Sequence, residues 1–135
     1  MKKILSLLFS CVFAMCAISI PVDAALPVGT IEPLWDNTSN VDCTMNFIDG
    51  IGYADSVVKA KFGSTSITTD VYVYKQISGE WVCVAELHDT KNKMVSGVSC
   101  TFLAEVGGYY KADYTFTVTK SGVDEIINRT LYHTY

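Results

Sequence analysis

The chain has 135 residues, 50% of them hydrophobic, with 10 basic and 14 acidic side chains and a formal net charge of −4 at pH 7. This length fits one domain of common size, which can bury a core without metals or many disulfides. The acidic balance repels phosphate backbones and anionic lipid, so we expect neither nucleic acid nor a membrane surface as a partner.

The first 24 residues follow the plan of a secretory signal peptide. Two lysines precede an uncharged apolar run over residues 4–20, and the small residues Val22 and Ala24 stand three and one before the bond to Ala25. Signal peptidase needs small side chains at those two positions. An uncleaved membrane anchor is the alternative, for which a run of 17 residues is short. We predict a signal peptide over residues 1–24, and a secreted, extracellular protein with no membrane insertion after cleavage.

Residues 25–40 are predicted to form an extended N-terminal arm. They include Pro27, Gly29 and Pro33 together with several Asp, Asn and Ser residues, which favour loops over regular structure. Trp35, near the end of the arm, is expected to fold back onto the core. The domain itself is predicted over residues 41–135.

From residue 41 onward, short runs rich in Val, Ile, Thr, Tyr and Phe are separated by Gly, Ser, Asn and Asp, which is typical of successive strands and turns. Side chains alternate between the two faces of a strand, so parity predicts which residues face the core. The predicted core-facing sets are, in chain order, Val41, Cys43, Met45 and Phe47; Ala54, Ser56, Val58, Ala60 and Phe62; Val71 and Val73; Trp81, Cys83, Ala85 and Leu87; Met94, Val98, Cys100 and Phe102; and Tyr110, Ala112, Tyr114, Phe116 and Val118. The fifth strand is expected to be interrupted near Gly97, and the last strand is predicted over residues 126–134, with a turn of helix as an option over 123–128.

About seven strands with one apolar face each, and no crossover helices, predict an all-β fold: a single antiparallel β-sandwich that is immunoglobulin-like by strand count. The immunoglobulin fingerprint of a tryptophan shortly after the first cysteine is missing, because Trp81 lies far beyond Cys43. A small closed barrel is the alternative architecture.

Three stretches of the chain resemble a family of small secreted proteins of Gram-positive bacteria, in which one β-sandwich domain follows a signal peptide. The stretches are Glu32, Pro33, Leu34 and Trp35 in the arm; the strand and hairpin over residues 71–81; and Gly107, Gly108, Tyr109, Tyr110 and Lys111 at the start of a late strand. The resemblance implies secretion and the sandwich fold. It implies no activity, and the three cysteines of the mature chain are not part of its pattern.

Cysteines and histidines offer the few reactive groups. Cys43, Cys83 and Cys100 remain after cleavage, and an odd number makes a poor disulfide framework. The pairing does not follow from the sequence; Cys83 with Cys100 is the candidate disulfide, and buried single thiols are the alternative. The adjacent His88 and Asp89, or a free cysteine beside His88, would be needed for a secreted enzyme, whereas a polar turn explains the pair equally simply. The sequence predicts no catalytic residues, no metal site and no cofactor.

Tyrosines give the strongest indication of a binding surface. Tyr53, Tyr72, Tyr74 and Tyr109 fall on the polar-facing parity of their strands, and exposed tyrosines can stack on sugar rings or anchor a protein partner. Cross-strand pairing on a solvated sheet face is the alternative explanation. The leading hypothesis is therefore a non-enzymatic extracellular binding module for a protein or a glycan, and the alternative is a secreted enzyme.

Overall fold

A computed structural model of the protein describes residues 34–135. The predicted signal peptide and residues 25–33 of the predicted arm lie outside the described residues. Within the described part of the chain, no helix is long and apolar enough to cross a membrane.

Residues 34–135 form seven β-strands and no helix. The strands are β1 (Thr38–Ile48), β2 (Ile51–Ala60), β3 (Ser64–Ile77), β4 (Glu80–Lys91), β5 (Val95–Leu103), β6 (Tyr109–Lys120) and β7 (Val123–Thr134). They make two sheets, one of three strands in the order β1-β2-β5 and one of four in the order β4-β3-β6-β7. All neighbouring strands are antiparallel. The predicted all-β antiparallel sandwich is confirmed, and the closed barrel is not formed.

Three of the connections are two-residue turns that fix the register of a hairpin. Both residues of each turn have positive φ, as a type I′ turn requires: Asp49 and Gly50, Ser78 and Gly79, and Ser121 and Gly122. The turn between β3 and β4 pairs Ile77 with Glu80, and the next pair along the ladder is Gln76 with Trp81. The backbone of this turn therefore decides the position of Trp81.

The core lies between the two sheets and follows the predicted alternation most closely in β6. Tyr110, Ala112, Tyr114, Phe116 and Val118 are each at most 1% exposed. Strand β6 lies between β3 and β7, so its inner side chains have neighbours on both sides as well as across the sandwich. Burying one such large apolar side chain stabilises the fold by roughly 1.5–3 kcal/mol.

The loop between β5 and β6 closes on the hydroxyl group of Tyr110. The Glu105 amide donates a hydrogen bond of 2.9 Å to Tyr110 Oη. A Cβ on Gly108 would stand only 2.7 Å from the Tyr110 ring, so glycine is needed where the ring crosses the loop. This contact fixes the point at which the chain leaves the three-stranded sheet and enters the four-stranded one.

Several predictions of local structure are wrong. Met94, predicted to face the core, is 42% exposed and lies just before β5. Phe62 is predicted to face the core but is 88% exposed, because β2 ends at Ala60 and Phe62 lies in the turn that leads to β3. Strand β5 continues through Gly97, which pairs with Val57 rather than breaking the strand. The optional turn of helix over residues 123–128 is a strand, because β7 begins directly after the Ser121–Gly122 turn and pairs with β6 from its first residue.

A β-bulge in β4 overturns the predicted face of its first half. Val73 pairs with Ala85 and Tyr74 pairs with Cys83, which leaves Val84 as an extra residue. Ala85 and Leu87 lie on the core side as predicted, packed against the buried cluster. Trp81 and Cys83, predicted to share that face, lie on the outer side, because one inserted residue exchanges the two faces.

The end of the predicted arm is tied to the sandwich. Strand β1 begins at Thr38, three residues earlier than predicted. Trp35 packs against the core as expected, and the Arg129 guanidinium lies 5.2 Å from the centroid of its ring. This packing continues the ordered domain to the amino-terminal side of β1.

Candidate binding face

The outer face of the four-stranded sheet carries a group of aromatic side chains at one end. Register places Tyr74 beside Cys83 on β4 and beside Lys111 on β6, and Lys111 in turn beside Tyr132 on β7. The next residues towards the hairpin turn are Trp81 on β4 and Tyr109 on β6. We call Tyr74, Trp81, Tyr109 and Tyr132 the aromatic cluster.

Three rings of the aromatic cluster contact one another. The centroid of the Trp81 ring lies 5.5 Å from that of Tyr109 and 6.0 Å from that of Tyr132. The Tyr109 and Tyr132 rings are 6.1 Å apart and close to parallel. Tyr109 is 38% exposed and Tyr132 56% exposed, so these rings present apolar area to solvent while holding one another in place.

Lys111 lies in the middle of the aromatic cluster. Its Nζ is 4.4 Å from the centroid of the Tyr74 ring and 5.5 Å from that of Trp81, both within the range of a cation–π contact. The same ammonium group pairs with the Asp113 carboxylate at 2.9 Å. The hydrogen bond to Asp113 raises the pKa of Lys111, so this lysine stays charged at neutral pH. The cluster is thus an aromatic surface built around one paired charge.

Carboxylates dominate the charge of the rest of this face. Register places Glu86, Tyr72 and Asp113 next to one another in the row beside the cluster, and Asp70 with His88 in the following row. Asp113 also accepts a hydrogen bond of 2.7 Å from Thr130. The outer face of β3, β4, β6 and β7 carries four carboxylates, of Asp70, Glu86, Asp113 and Asp124, and one permanent cation, Lys111.

The structure separates the four tyrosines that the sequence singled out. Tyr72, Tyr74 and Tyr109 share the outer face of the four-stranded sheet. Tyr53 lies on β2, paired with Asn46 and Thr101, and therefore belongs to the other sheet. Tyr53 is therefore not part of the predicted tyrosine surface. Two other rings are: Trp81, which parity assigned to the core, and Tyr132, which parity did not assign.

Trp81 and Tyr132 are the residues that sequence reasoning missed. The signal for Trp81 is the uninterrupted apolar run over residues 81–85, because a strand with one apolar face alternates and this run does not. Such a run is consistent with a β-bulge, because residues of opposite parity face the core before and after the inserted residue. The position of Tyr132 follows only from the register of β7 against β6, which a single strand does not reveal.

His88 and Asp89 do not form a joint site. His88 Nδ1 is hydrogen-bonded to Asp70 on the outer face of the sheet. Asp89 has the opposite parity, pairs in register with the buried Thr69, and lies 3.2 Å from Lys91 Nζ. Among residues 34–135 no group of three or more His, Cys, Asp or Glu side chains could hold a metal ion.

The candidate disulfide between Cys83 and Cys100 is not formed. All three cysteines of the described residues are free thiols: Cys83 is exposed on β4, Cys100 is buried on β5, and Cys43 is half-buried on β1. Burial raises the pKa of the Cys43 thiol to about 11, and burial also raises the pKa of Cys100. High thiol pKa values disfavour the thiolate, the nucleophilic form, at Cys43 and Cys100.

Comparisons with known proteins identify no family for this chain. No protein-family model matches the chain, and no curated protein matches it. Among solved structures, the chain is similar to the crystal structure of a protein from Archaeoglobus fulgidus, with 11% identity, a TM-score of 0.39, and coverage of 73% of this chain and 97% of that chain. Function must therefore be inferred from the outer face itself.

Proposed function

We propose that the protein is a secreted, non-enzymatic binding module that holds an extracellular protein or glycan on the aromatic cluster. The observation that carries the proposal is the set of three mutually packed rings of Trp81, Tyr109 and Tyr132 on an open sheet face. Large rigid side chains bind partners at a low entropic cost, because few rotatable bonds must be ordered. Rings that already support one another lose still less freedom on binding.

Secretion is part of this proposal, supported by the signal-peptide pattern of residues 1–24 and by the resemblance to small secreted Gram-positive proteins. An extracellular location would bring the outer face into contact with cell-surface and matrix molecules. The intact mass of the protein in the culture medium of its host tests it. A mass that begins at Ala25 is expected, and a retained amino terminus would contradict secretion with cleavage.

We further propose that the sandwich is immunoglobulin-like in connectivity. Two observations support this relationship. First, β1, β2 and β5 share one sheet and β3, β6 and β7 the other, as the corresponding strands do in immunoglobulin domains, with β4 added to the second sheet. Second, Tyr110 at the start of the sixth strand bonds back to the Glu105 amide, in the manner of a tyrosine corner. Domains of this architecture carry many unrelated functions, so the binding proposal rests on the aromatic cluster and not on the fold.

The binding proposal is tested by removing two rings of the aromatic cluster and comparing with one ring on the opposite sheet. The wild type is first tested against a panel of immobilised glycans and purified surface proteins. A Tyr109→Ala, Tyr132→Ala double variant should then lose binding to whichever of these the wild type binds. The expected loss is about 30-fold or more in Kd, the effect of removing an interface anchor worth about 2 kcal/mol. Tyr53→Ala is the matched control and should bind as the wild type does. Equal binding by all three proteins would refute a role for the cluster.

A further inference from the structure

We propose that the partner of this face is a basic polypeptide segment, bound in an extended conformation along the strands, with its Arg or Lys side chains on the carboxylate rows. This inference rests on the proposed binding function and adds the chemistry of the partner. It draws on three features of the outer face: the charge balance, the contacts of Lys111, and the spacing of the rows.

The charge balance of the face favours a cation. The face carries the carboxylates of Asp70, Glu86, Asp113 and Asp124 and a single permanent cation, Lys111. Lys111 is already paired with Asp113, and Asp70 is hydrogen-bonded to His88. A ligand with positive side chains would neutralise the excess carboxylates, whereas an anionic ligand would be repelled. A neutral ligand can donate hydrogen bonds to these carboxylates but leaves their charge unneutralised.

The contacts of Lys111 indicate that the cluster accommodates an alkylammonium group. Its Nζ lies over the Tyr74 and Trp81 rings at distances typical of cation–π contacts. Tyr109 and Tyr132 offer further ring surface to solvent beside that internal cation. An Arg or Lys side chain of a partner can therefore lay its apolar stem on these rings and direct its charge to the neighbouring carboxylates.

The spacing of the rows favours an extended peptide as the source of the cation. Tyr74, Tyr72 and Asp70 follow one another at intervals of two residues along β3, which is about 6.6–6.8 Å per interval. Alternate side chains of an extended peptide have the same spacing. A peptide that lies along β3 can therefore place an apolar or aromatic side chain on the cluster and successive basic side chains near the row of Glu86 and Asp113 and then near Asp70.

The direct test uses three probes with the full mature chain. They are a capped peptide of about ten residues that alternates Arg and Thr, the same peptide with neutral citrulline in place of Arg, and a neutral oligosaccharide of N-acetylglucosamine. Binding is measured by calorimetry at about 50 and about 500 mM NaCl, which changes the screening length several-fold. We expect the Arg peptide to bind, to bind at least about tenfold more tightly than the citrulline peptide, and to weaken in high salt.

Variants locate the effect on the face. Glu86→Gln and Asp113→Asn should each weaken binding of the Arg peptide several-fold, and the Tyr109→Ala, Tyr132→Ala double variant should weaken it further. Asp124→Asn is the matched control, since it removes a carboxylate from the far end of the same face. An equal effect of Asp124→Asn would mean unspecific attraction and would overturn the inference.

The outcomes distinguish this inference from the binding function on which it rests. In one outcome, the neutral oligosaccharide or the citrulline peptide binds as tightly as the Arg peptide, is insensitive to salt, and loses binding in the Tyr109→Ala, Tyr132→Ala variant. This outcome would overturn the inference of a basic partner but keep the aromatic face as a binding site. Absence of binding by the Arg peptide would also overturn the basic partner. Failure of every ligand to respond to the double variant would reject both.

Discussion

Glu125 shows how a single side chain joins the start of the domain to its last strand. Its two carboxylate oxygens accept hydrogen bonds from the backbone amides of Asp36 and Asn37, just before β1. Desolvation raises the pKa of Glu125, but the hydrogen bonds from the backbone amides outweigh it, so the pKa is lowered from its usual value. No sequence pattern predicts this contact, because Asp36 and Glu125 are almost ninety residues apart in the chain.

The lowered pKa of Glu125 predicts a pH-dependent contribution to stability. The ionised form is favoured by folding, so the contribution is complete above the ordinary pKa of 4.5 and is lost as the pH falls through the lowered value. Glu125→Gln should reduce the free energy of unfolding at pH 7 by at most about 1 kcal/mol, because the carboxylate is only part-buried. The difference from wild type should shrink as the pH falls below the ordinary pKa of 4.5 and through the lowered value.

Urea unfolding of wild type and Glu125→Gln at pH 7 and at about pH 3 measures this contribution. Glu80→Gln, an exposed carboxylate in the β3–β4 turn region, is the control and should behave as the wild type at both values. A difference between wild type and Glu125→Gln that stays constant with pH would contradict the assignment.

Alternation predicts a strand well where the strand pairs without interruption. Strand β6 keeps its parity from Tyr110 to Val118 and was predicted residue by residue. Strand β4 shows the limit, because the position of its bulge depends on how β3 lies beside it. Trp81 and Cys83 have the parity of Ala85 and Leu87, and only the pairing with β3 shows that Val84 is inserted between the two halves.

The bulge predicts the reactivity of the cysteines. Of the three thiols within residues 34–135 only Cys83 is exposed, whereas burial protects Cys100 and raises the pKa of Cys43 to about 11. Under native conditions near neutral pH, a thiol reagent should modify one cysteine rapidly, and peptide mapping should place the label on Cys83. Cys83→Ser should remove the rapid phase, and unfolding should expose all the thiols of the domain.

An uninterrupted β4 would give the opposite result. With Cys83 turned towards the core, as simple alternation predicts, the native domain would show no rapid labelling at any of the three positions. The experiment therefore decides between the two faces of β4, and with them the position of Trp81.

Across the whole molecule, the sequence predicted two packed layers of strands but not which strands are neighbours. The pairing of β2 with β5 and of β3 with β6 joins segments that are far apart in the chain, and each strand has an apolar face that would suit several partners. The composition of the aromatic cluster depends on those neighbours, since its rings come from β3, β4, β6 and β7. Three tyrosines of this sheet face were foreseen, whereas the complete cluster was not.

The Asn37 side chain links the two sheets through hydrogen bonds. Its side chain is 6% exposed, and Nδ2 donates hydrogen bonds of 2.9 Å to the Val118 carbonyl and 3.0 Å to the Val123 carbonyl, at either side of the β6–β7 turn. Asn37→Ala would leave a buried carbonyl without its donor, at a cost of about 1–3 kcal/mol in the free energy of unfolding. Urea unfolding should show a lower midpoint with an unchanged slope.

Asn40→Ala supplies the comparison for this prediction. The Asn40 amide meets only the nearby Asp42 carboxylate in an exposed position on β1. Its removal should change the midpoint little, as is usual for exposed polar contacts. Equal destabilisation by the two variants would show that Asn37 does not tie the sheets together.

The two-residue turns have a consequence for the order of folding. Hairpins closed by such turns form within about 1–10 μs, whereas contacts between distant strands form later and more slowly. Trp81 belongs to the β3–β4 hairpin, and the Tyr109 and Tyr132 rings that pack on it belong to the β6–β7 hairpin. The aromatic cluster therefore forms only when these two hairpins pair with each other. A change in the fluorescence of Trp81 during refolding would report the time of that step.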